Sequence, residues 1–352
     1  MKQRSYHEAS GLCAASLDAP ALAGGSRHFP IVIQARRSEA GVRRETIPVG
    51  ELAPEVWQAL TAPRAAFGGV PMDRPCIMGI VNVTPDSFSD GGDRFDSGRA
   101  VEDGLAMWAA GAAFVDVGGE STRPGSQAPS LDEELRRVIP VVERLAAQGV
   151  RVSIDTRRAA VMEEAAAAGA AVINDISALG SEPAALTVAA ESGLPVILMH
   201  MQGEPRTMQQ APHYDDVVLD VYDYLAERIR VCEKAGIPRS RICIDPGIGF
   251  GKSVAHNLEL IARLATFHEL GCPLLLGVSR KFFIGKLSKG EEPKERLPGT
   301  LALLLAGLHR GAQIHRVHDV EEALQAMALW QAVEGAGTVM TTTTGGGSQE
   351  LQ

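Results

Sequence analysis

The sequence is short of aromatics and cysteines, has no excess of positive charge and holds no long apolar run. Aromatic residues make up only 5% of 352, yet 45% are apolar, enough to bury one large core or two smaller ones. Acidic residues outnumber basic ones, 43 to 34, for a formal charge of −9. A nucleic-acid or anionic-membrane surface needs a basic face to displace counterions, so neither partner is expected. The five cysteines (Cys13, Cys76, Cys232, Cys243, Cys272) stand far apart, odd in number and without a C-x-x-C pair. That excludes a zinc knuckle and a disulfide framework and points to a reduced, cytoplasmic setting. Lys2 and Arg4 are followed by Glu8, Ser10 and Asp18 instead of an apolar segment, and no run is long enough to span a bilayer. Neither export nor membrane insertion is expected.

What is present is a rhythm. From residue 76 onward, eight short apolar, β-branched runs alternate with helical stretches: CIMGIVNV, FVDVGG, RVSIDT, AVINDIS, PVILMH, RICIDPG, PLLLGVS and QIHRVHD. Strands buried on both faces of a parallel sheet have this character. Seven glycines (Gly111, Gly149, Gly169, Gly193, Gly236, Gly271, Gly311) precede strands where a helix must end. LDEELRRVIPVVERLAA is amphipathic, with Ser130 and Glu133 spaced as a capping box. Eight β–α units in about 250 residues match a closed parallel (β/α)8 TIM barrel better than an open doubly wound sheet. The fold expected is therefore α/β, a single barrel over 76–337 with an N-terminal extension. Residues 1–26 and 338–352 are Ala, Ser, Gly or Thr-rich without periodicity and are expected to be disordered. Residues 27–75 form an extension of unknown role in which HFPIVIQARR reads as a strand and GELAPEVWQAL as a short helix, packing on the barrel or covering one end.

In such barrels the chemistry lies at the C-terminal ends of the strands. Here those ends carry Asn82; Asp116 followed by GGESTRPG; Asp155; Asn174; His200; Asp245 followed by PGIGFGK; Ser279, Arg280 and Lys281; then Arg316 and His318. A single Asp before a helix is as often a cap as a functional group, but a polar group at all eight ends is not explained that way. Carboxylates and amides suit a flat heterocycle rich in N–H and C=O groups, and Arg, Lys and His suit an anion such as phosphate. Strand parity sends Arg316 and His318 one way and His315 the other. PGIGFGKS is not a phosphate-binding P-loop, because Pro246 stands where that pattern needs Gly. His200 is read as a packed or hydrogen-bonded histidine, and Met199 and Met201 as core or as the wall of a ring-binding cavity.

MGIVNVTPDSFSDGG, VDVGGESTRPG, SIDT, INDIS, LMHMQG, DPGIGFGK, GVSRK and RVHDV together resemble, in order and spacing, the motifs of bacterial dihydropteroate synthases, over roughly residues 75 to 335. The resemblance implies a homodimeric enzyme of folate synthesis, a transferase that joins 6-hydroxymethyl-7,8-dihydropterin diphosphate to p-aminobenzoate and releases pyrophosphate. It also implies residue roles. Asp155, Asn174, Asp245 and Lys281 would hold the pterin ring, Arg316 would stack on it and reach the diphosphate, and His318 would be an anion neighbour. Asn82 would give an oxygen to Mg²⁺. Thr122 and Arg123 would lie near the diphosphate and the p-aminobenzoate pocket, Ser279 would meet the benzoate carboxylate, Phe88 and Pro124 would wall that pocket, and Asp90 is a further catalytic candidate beside Lys281, Arg316 and His318. Sensitivity to sulfonamides follows from the same walls. His315 and the Phe282–Phe283 pair depart from the usual pattern without replacing a matched group. Two alternatives share the ring-binding barrel: a corrinoid-type pterin methyltransferase, which has no reason to carry STRPG and SRK together, and a catalytically silent pterin-binding homologue.

Overall fold

A computed structural model describes residues 4–14, 19–84, 97–121, 128–203 and 207–342. Eight strands run parallel: β4 (Cys76–Asn82), β5 (Phe114–Gly118), β6 (Val152–Asp155), β7 (Val172–Asp175), β8 (Val196–Met199), β9 (Ile242–Asp245), β10 (Leu275–Leu276) and β11 (Ile314–Val317). Their order is β10-β11-β4-β5-β6-β7-β8-β9, and a parallel bridge from Ile244 to Leu274 brings the last strand back to the first. This is the (β/α)8 barrel that the alternating pattern implies. Around it lie α2 (Ser97–Ala110), α3 (Leu131–Ala147), α4 (Ala159–Ala167), α5 (Pro183–Ser192), α6 (Val217–Lys234), α7 (Val254–Ala262), α8 (Phe282–Leu287), α9 (Leu297–His309) and α10 (Val320–Thr342). All seven helix-closing glycines have positive φ, from 72° to 111°. At Gly193 and Gly271 the left-handed residue ends the helical turn directly, a conformation that costs an L side chain but not glycine. Ser130 caps α3 by accepting from the Glu133 amide at 3.2 Å. The Glu133 carboxylate instead takes Arg136 and Arg137, so only half of the capping box shows.

The N-terminal region corrects one expectation. Within the stretch read as disordered, Ser5–Ser10 forms β1, which pairs antiparallel with β2 (Ile31–Ser38), itself paired with β3 (Gly41–Pro48). The reason is non-local. Tyr6 packs edge-on against Tyr222 of α6 with ring centroids 5.3 Å apart, and Arg4, Arg37 and Arg44 pair with Asp223, Asp220 and Asp216 of the same helix and its cap. No local composition reveals a strand whose partners are thirty and two hundred residues away. The strand and helix read in 27–75 are present, as β2 and α1 (Pro54–Thr61). At the other terminus α10 continues to Thr342, so the part of the expected tail from 338 to 342 is helical; residues 343–352 lie outside the described residues.

The extension reaches the barrel twice. Its sheet lies on α6 and on the turn from Leu264 to Leu270, and its last segment plugs the N-terminal mouth. There Phe67, Val70 and Met72 join Met78, Phe114, Val172, Ile197, Cys243, Leu275 and Ile314, inward residues of seven strands, in one buried cluster. Phe67 is fully buried and meets Phe114 edge-on at 6.2 Å. The closed floor leaves the opposite end of the barrel as its open one. Phe67→Ala would leave a cavity that these strand residues cannot collapse to fill, and denaturant unfolding should show a loss of about 3–5 kcal/mol; a loss below about 1 kcal/mol would mean that the plug is not part of the core.

Candidate active site

The same strand parity that fills the floor with apolar side chains puts polar ones at the top of most strands. Two residues beyond Met78 and Phe114 stand Ile80 and Asp116; beyond Val172, Cys243 and Ile314 stand Asn174, Asp245 and Arg316. Of these, Ile80, Asn174, Asp245 and Arg316 line an open cavity of about 1430 Å³ at the C-terminal ends of the strands, and Asp116 is buried behind it. Asn82, Asp155, Asn174, Asp245, Ser279, Lys281, Arg316 and His318, eight of the residues singled out from sequence, all line it. The other five, Phe88, Asp90, Thr122, Arg123 and Pro124, lie outside the described residues.

Arg316 organises the base of the cavity. Its Nε donates to Asp116 Oδ2 at 2.6 Å and its Nη2 to Asp155 Oδ2 at 2.7 Å, so one guanidinium ties β11 to β5 and β6. Asn174 Nδ2 donates to both oxygens of Asp116, at 3.2 and 3.3 Å, adding β7. Asp116 is fully buried and has no route to a ligand except through these partners. The sequence placed it at a strand end but named no task for it; only its closure onto Arg316 reveals one. Burial raises the Asp155 carboxyl, with Asp116 and Asp175 adding to the rise and Arg316 opposing it. The two aspartates in turn hold the guanidinium above the ordinary arginine range.

Asp245 and Lys281 stand on the adjoining wall. Asp245 Oδ1 accepts from the Gly247 amide at 2.7 Å, and burial lifts the carboxyl while that amide and Lys281 pull it down. Burial lowers the Lys281 ammonium to about 8, against the pull of Asp245. Lys281 Nζ lies 4.2 Å from the centre of the Phe250 ring, a cation–π contact that orients it. Phe250 was missed by sequence reading, although an aromatic inside a glycine-rich loop at a strand end was a usable signal. Ser279 Oγ and His318 Nδ1 are 2.9 Å apart, which joins the loop after β10 to the end of β11. Arg280, between Ser279 and Lys281 in sequence, turns to Asp319 instead.

Lys252, of the rejected P-loop match, is fully buried. Its Nζ donates to Phe250 O at 2.9 Å and His200 O at 3.3 Å and meets His200 Nδ1 at 2.9 Å. Those contacts fasten the loop after β9 to the end of β8, a role unrelated to cradling phosphates. Burial lowers this lysine to about 7, and burial together with Lys252 lowers His200 well below its usual value. His200 is thus the packed, hydrogen-bonded histidine expected, and Met199 is part of the cavity wall with Ile80, Ile176 and Ile248. Apolar walls interrupted by an Asp, an Asn and a Lys suit a heteroaromatic ring, and Lys294, which also lines the cavity, suits an anion.

Among the described residues, no group of three or more His, Cys, Asp and Glu side chains could hold a metal by themselves, and no helix is long and apolar enough to cross a membrane. Residues 78–318 match the family model described as pterin binding enzyme. Dihydropteroate synthase from Escherichia coli K12 is 53% identical over 266 residues, 75% of this chain and 94% of the relative. Among solved structures, Xanthomonas albilineans dihydropteroate synthase with 4-aminobenzoic acid superposes with a TM-score of 0.73 at 51% identity, covering 78% of this chain and 99% of that one. The Yersinia pestis dihydropteroate synthase in complex with a sulfonamide drug gives 0.72 at 48% identity, covering 76% and 96%. The cavity at the barrel's open end, the eight residues singled out from sequence around it and these relatives lead to one conclusion: the chain belongs to the pterin-binding enzyme family and, within it, to the dihydropteroate synthases.

Proposed function

We propose that the cavity joins the dihydropterin diphosphate to p-aminobenzoate with Asp245 as the group that fixes the pterin. Its carboxylate, already held at one oxygen by Gly247, has the second free to pair with ring N–H and amino donors, a charge-assisted contact that sets orientation. Asn174 and Asp155 read the remaining edge, and Lys281 donates to the ring from the Phe250 side. The nucleophile is an aryl amine that is neutral at pH 7, so the difficult step is departure of pyrophosphate. The cation left on the pterin is favoured by the carboxylates of Asp155 and Asp245, and the leaving anion by His318 and by Arg316 once substrate competes for its guanidinium. Phe88, Asp90, Thr122, Arg123 and Pro124 are proposed for the p-aminobenzoate side and the covering loops on the strength of the family resemblance.

The donor chemistry fits Mg²⁺ of the kind that keeps most of its waters. Asn82 provides one neutral oxygen at the cavity wall, and the described residues supply no carboxylate cage that would strip the ion. Mg²⁺ bound there with substrate phosphates would neutralise part of the diphosphate charge. The five described cysteines are all free, which supports a cytoplasmic location. A homodimer is supported by α9, LPGTLALLLAGLH, which is apolar except for Thr300 and His309 and leaves Pro298 and Ala302 exposed, and by the exposed Leu258 of α7, which packs against α9.

The observation that carries this reading is the meeting of Asp245, Asn174, Lys281 and Arg316 around one cavity. Purified protein given dihydropterin diphosphate, Mg²⁺ and p-aminobenzoate should release pyrophosphate only when the amine is present. Chelation should stop it, and a sulfonamide should compete with the amine. Asp245→Asn puts an NH2 where ring donors need an acceptor and should lower kcat/KM roughly a hundredfold or more. Pterin binding without release would instead favour a silent homologue or a methyltransferase-like binder.

The pH dependence follows from Lys281. Its ammonium holds its proton below about 8, so kcat/KM for the pterin substrate should fall as pH rises through about 8. Lys281→Arg, slower because the guanidinium is larger, should lose that limb because it stays charged; a limb unchanged in this variant would assign it to another group. Light scattering should give twice the 37.3 kDa chain mass, and Leu258→Glu should shift the population to monomer; a monomeric parent protein would sink the dimer reading.

A further inference from the structure

The loop between β7 and α5 is the one place among the described residues where two non-glycine residues stand consecutively in the left-handed region. Ala178 has φ 54° and Leu179 φ 58°. Both are buried, at 0% and 2% exposure. A side chain disfavours this conformation, and residues held in it persist only where the surroundings leave no alternative. The surroundings here come from two sides. Asp175, fully buried, accepts from the Ser177 amide (2.6 Å) and hydroxyl (2.7 Å) on Oδ1 and from the Leu179 amide (3.0 Å) on Oδ2. From α6, Arg228 donates Nε to Ala178 O at 2.8 Å and Nη2 to Leu179 O at 3.0 Å, and the Tyr224 hydroxyl donates to Ser177 O at 3.1 Å. One carboxylate and one guanidinium thus hold the loop's amides and its carbonyls.

The cost falls beside the active site. Asn174 and Ile176 line the cavity and flank Asp175, whereas Asp175 and Arg228 do not line it. Strand β7 has only four residues, so a loop that relaxed to ordinary negative φ would turn its peptides with little regular backbone to absorb the change. We propose that Asp175 and Arg228 are positioning residues that force this loop along its left-handed path so that Asn174 and Ile176 meet the pterin ring in register. The inference rests on the reading of Asn174 as a pterin contact. It gives the strained turn a function: strain stored in the free protein sets the orientation of the ring-binding wall.

Arg228→Met removes both donors and keeps a long apolar stem. It should raise KM for the dihydropterin diphosphate by about tenfold or more, because small misplacements of binding groups are costly, and leave KM for p-aminobenzoate unchanged. Arg228→Lys should not restore affinity, since a point donor cannot span two carbonyls as the planar fork does. The decisive variant adds Ala178→Gly to Arg228→Met. Glycine enters the left-handed region without a side-chain penalty, so the double variant should recover most of the pterin affinity. A merely structural defect would reduce the active fraction, and with it kcat, without a selective change in pterin KM or rescue by glycine. If Arg228→Met gives no soluble protein, Tyr224→Phe is read the same way: a raised pterin KM supports the clamp and an unchanged one overturns it. Asn174→Ala separates the two layers of argument. Weakened pterin binding in Asn174→Ala with Arg228→Met unaffected would overturn the clamp alone; no effect of Asn174→Ala would overturn the pterin-site reading and the clamp with it.

Discussion

The guanidinium of Arg316, caught between Asp116 and Asp155, is the interaction on which the open end of the barrel depends. It joins three strands directly and a fourth through Asn174, and it does so at the base of the cavity, with Asp116 fully buried. A buried ion pair contributes little net stability, because desolvation offsets the Coulomb gain, but removing one partner leaves an uncompensated charge at a cost of about 3–5 kcal/mol. The network therefore specifies more than it stabilises. It holds Asp155, Asn174 and Arg316 at the height that puts them on the cavity wall.

That arrangement is affordable because the other end of the barrel is dry. Below the polar layer, the plug of Phe67, Val70 and Met72 and the inward apolar residues of seven strands form a separate buried cluster. Floor and site thus divide the barrel interior by chemistry, apolar below and ionic above, along the same inward-facing positions. The extension that supplies the plug is itself strapped to α6 by Arg4, Arg37 and Arg44. The N-terminal sheet, the floor and α6 are therefore mechanically connected, and α6 also carries Arg228 and Tyr224, which hold the loop next to Asn174 and Ile176 of the cavity wall.

Much of this was legible along the chain, for local reasons. A strand buried on both faces must be apolar and short, a helix that turns back must find a residue tolerant of positive φ, and alternation along a strand assigns Arg316 and His318 to one side and His315 to the other. These constraints act between neighbours in sequence, and all of them hold in the structure. The strand-end residues inherit their grouping from the same periodicity, which is why eight of those singled out line one cavity. What escaped was whatever depends on a partner far away. Strand β1 exists because β2 and Tyr222 complete it; Phe250 matters because Lys281 folds over it; Lys252, which reads as half of a phosphate motif, is a buried fastener to His200.

Sequence alone thus determined the barrel, the end at which its chemistry lies and the identity of most groups there, because period, turn chemistry and motif spacing are properties of short stretches. Only the tertiary structure decided what those groups do to one another. The alternation that points Arg316 inward does not say that its charge meets two carboxylates, and the sequence SALG does not announce two consecutive left-handed residues gripped from a helix fifty positions away. Directed hydrogen bonds and buried charges are satisfied in space, between segments that closing the barrel brings together.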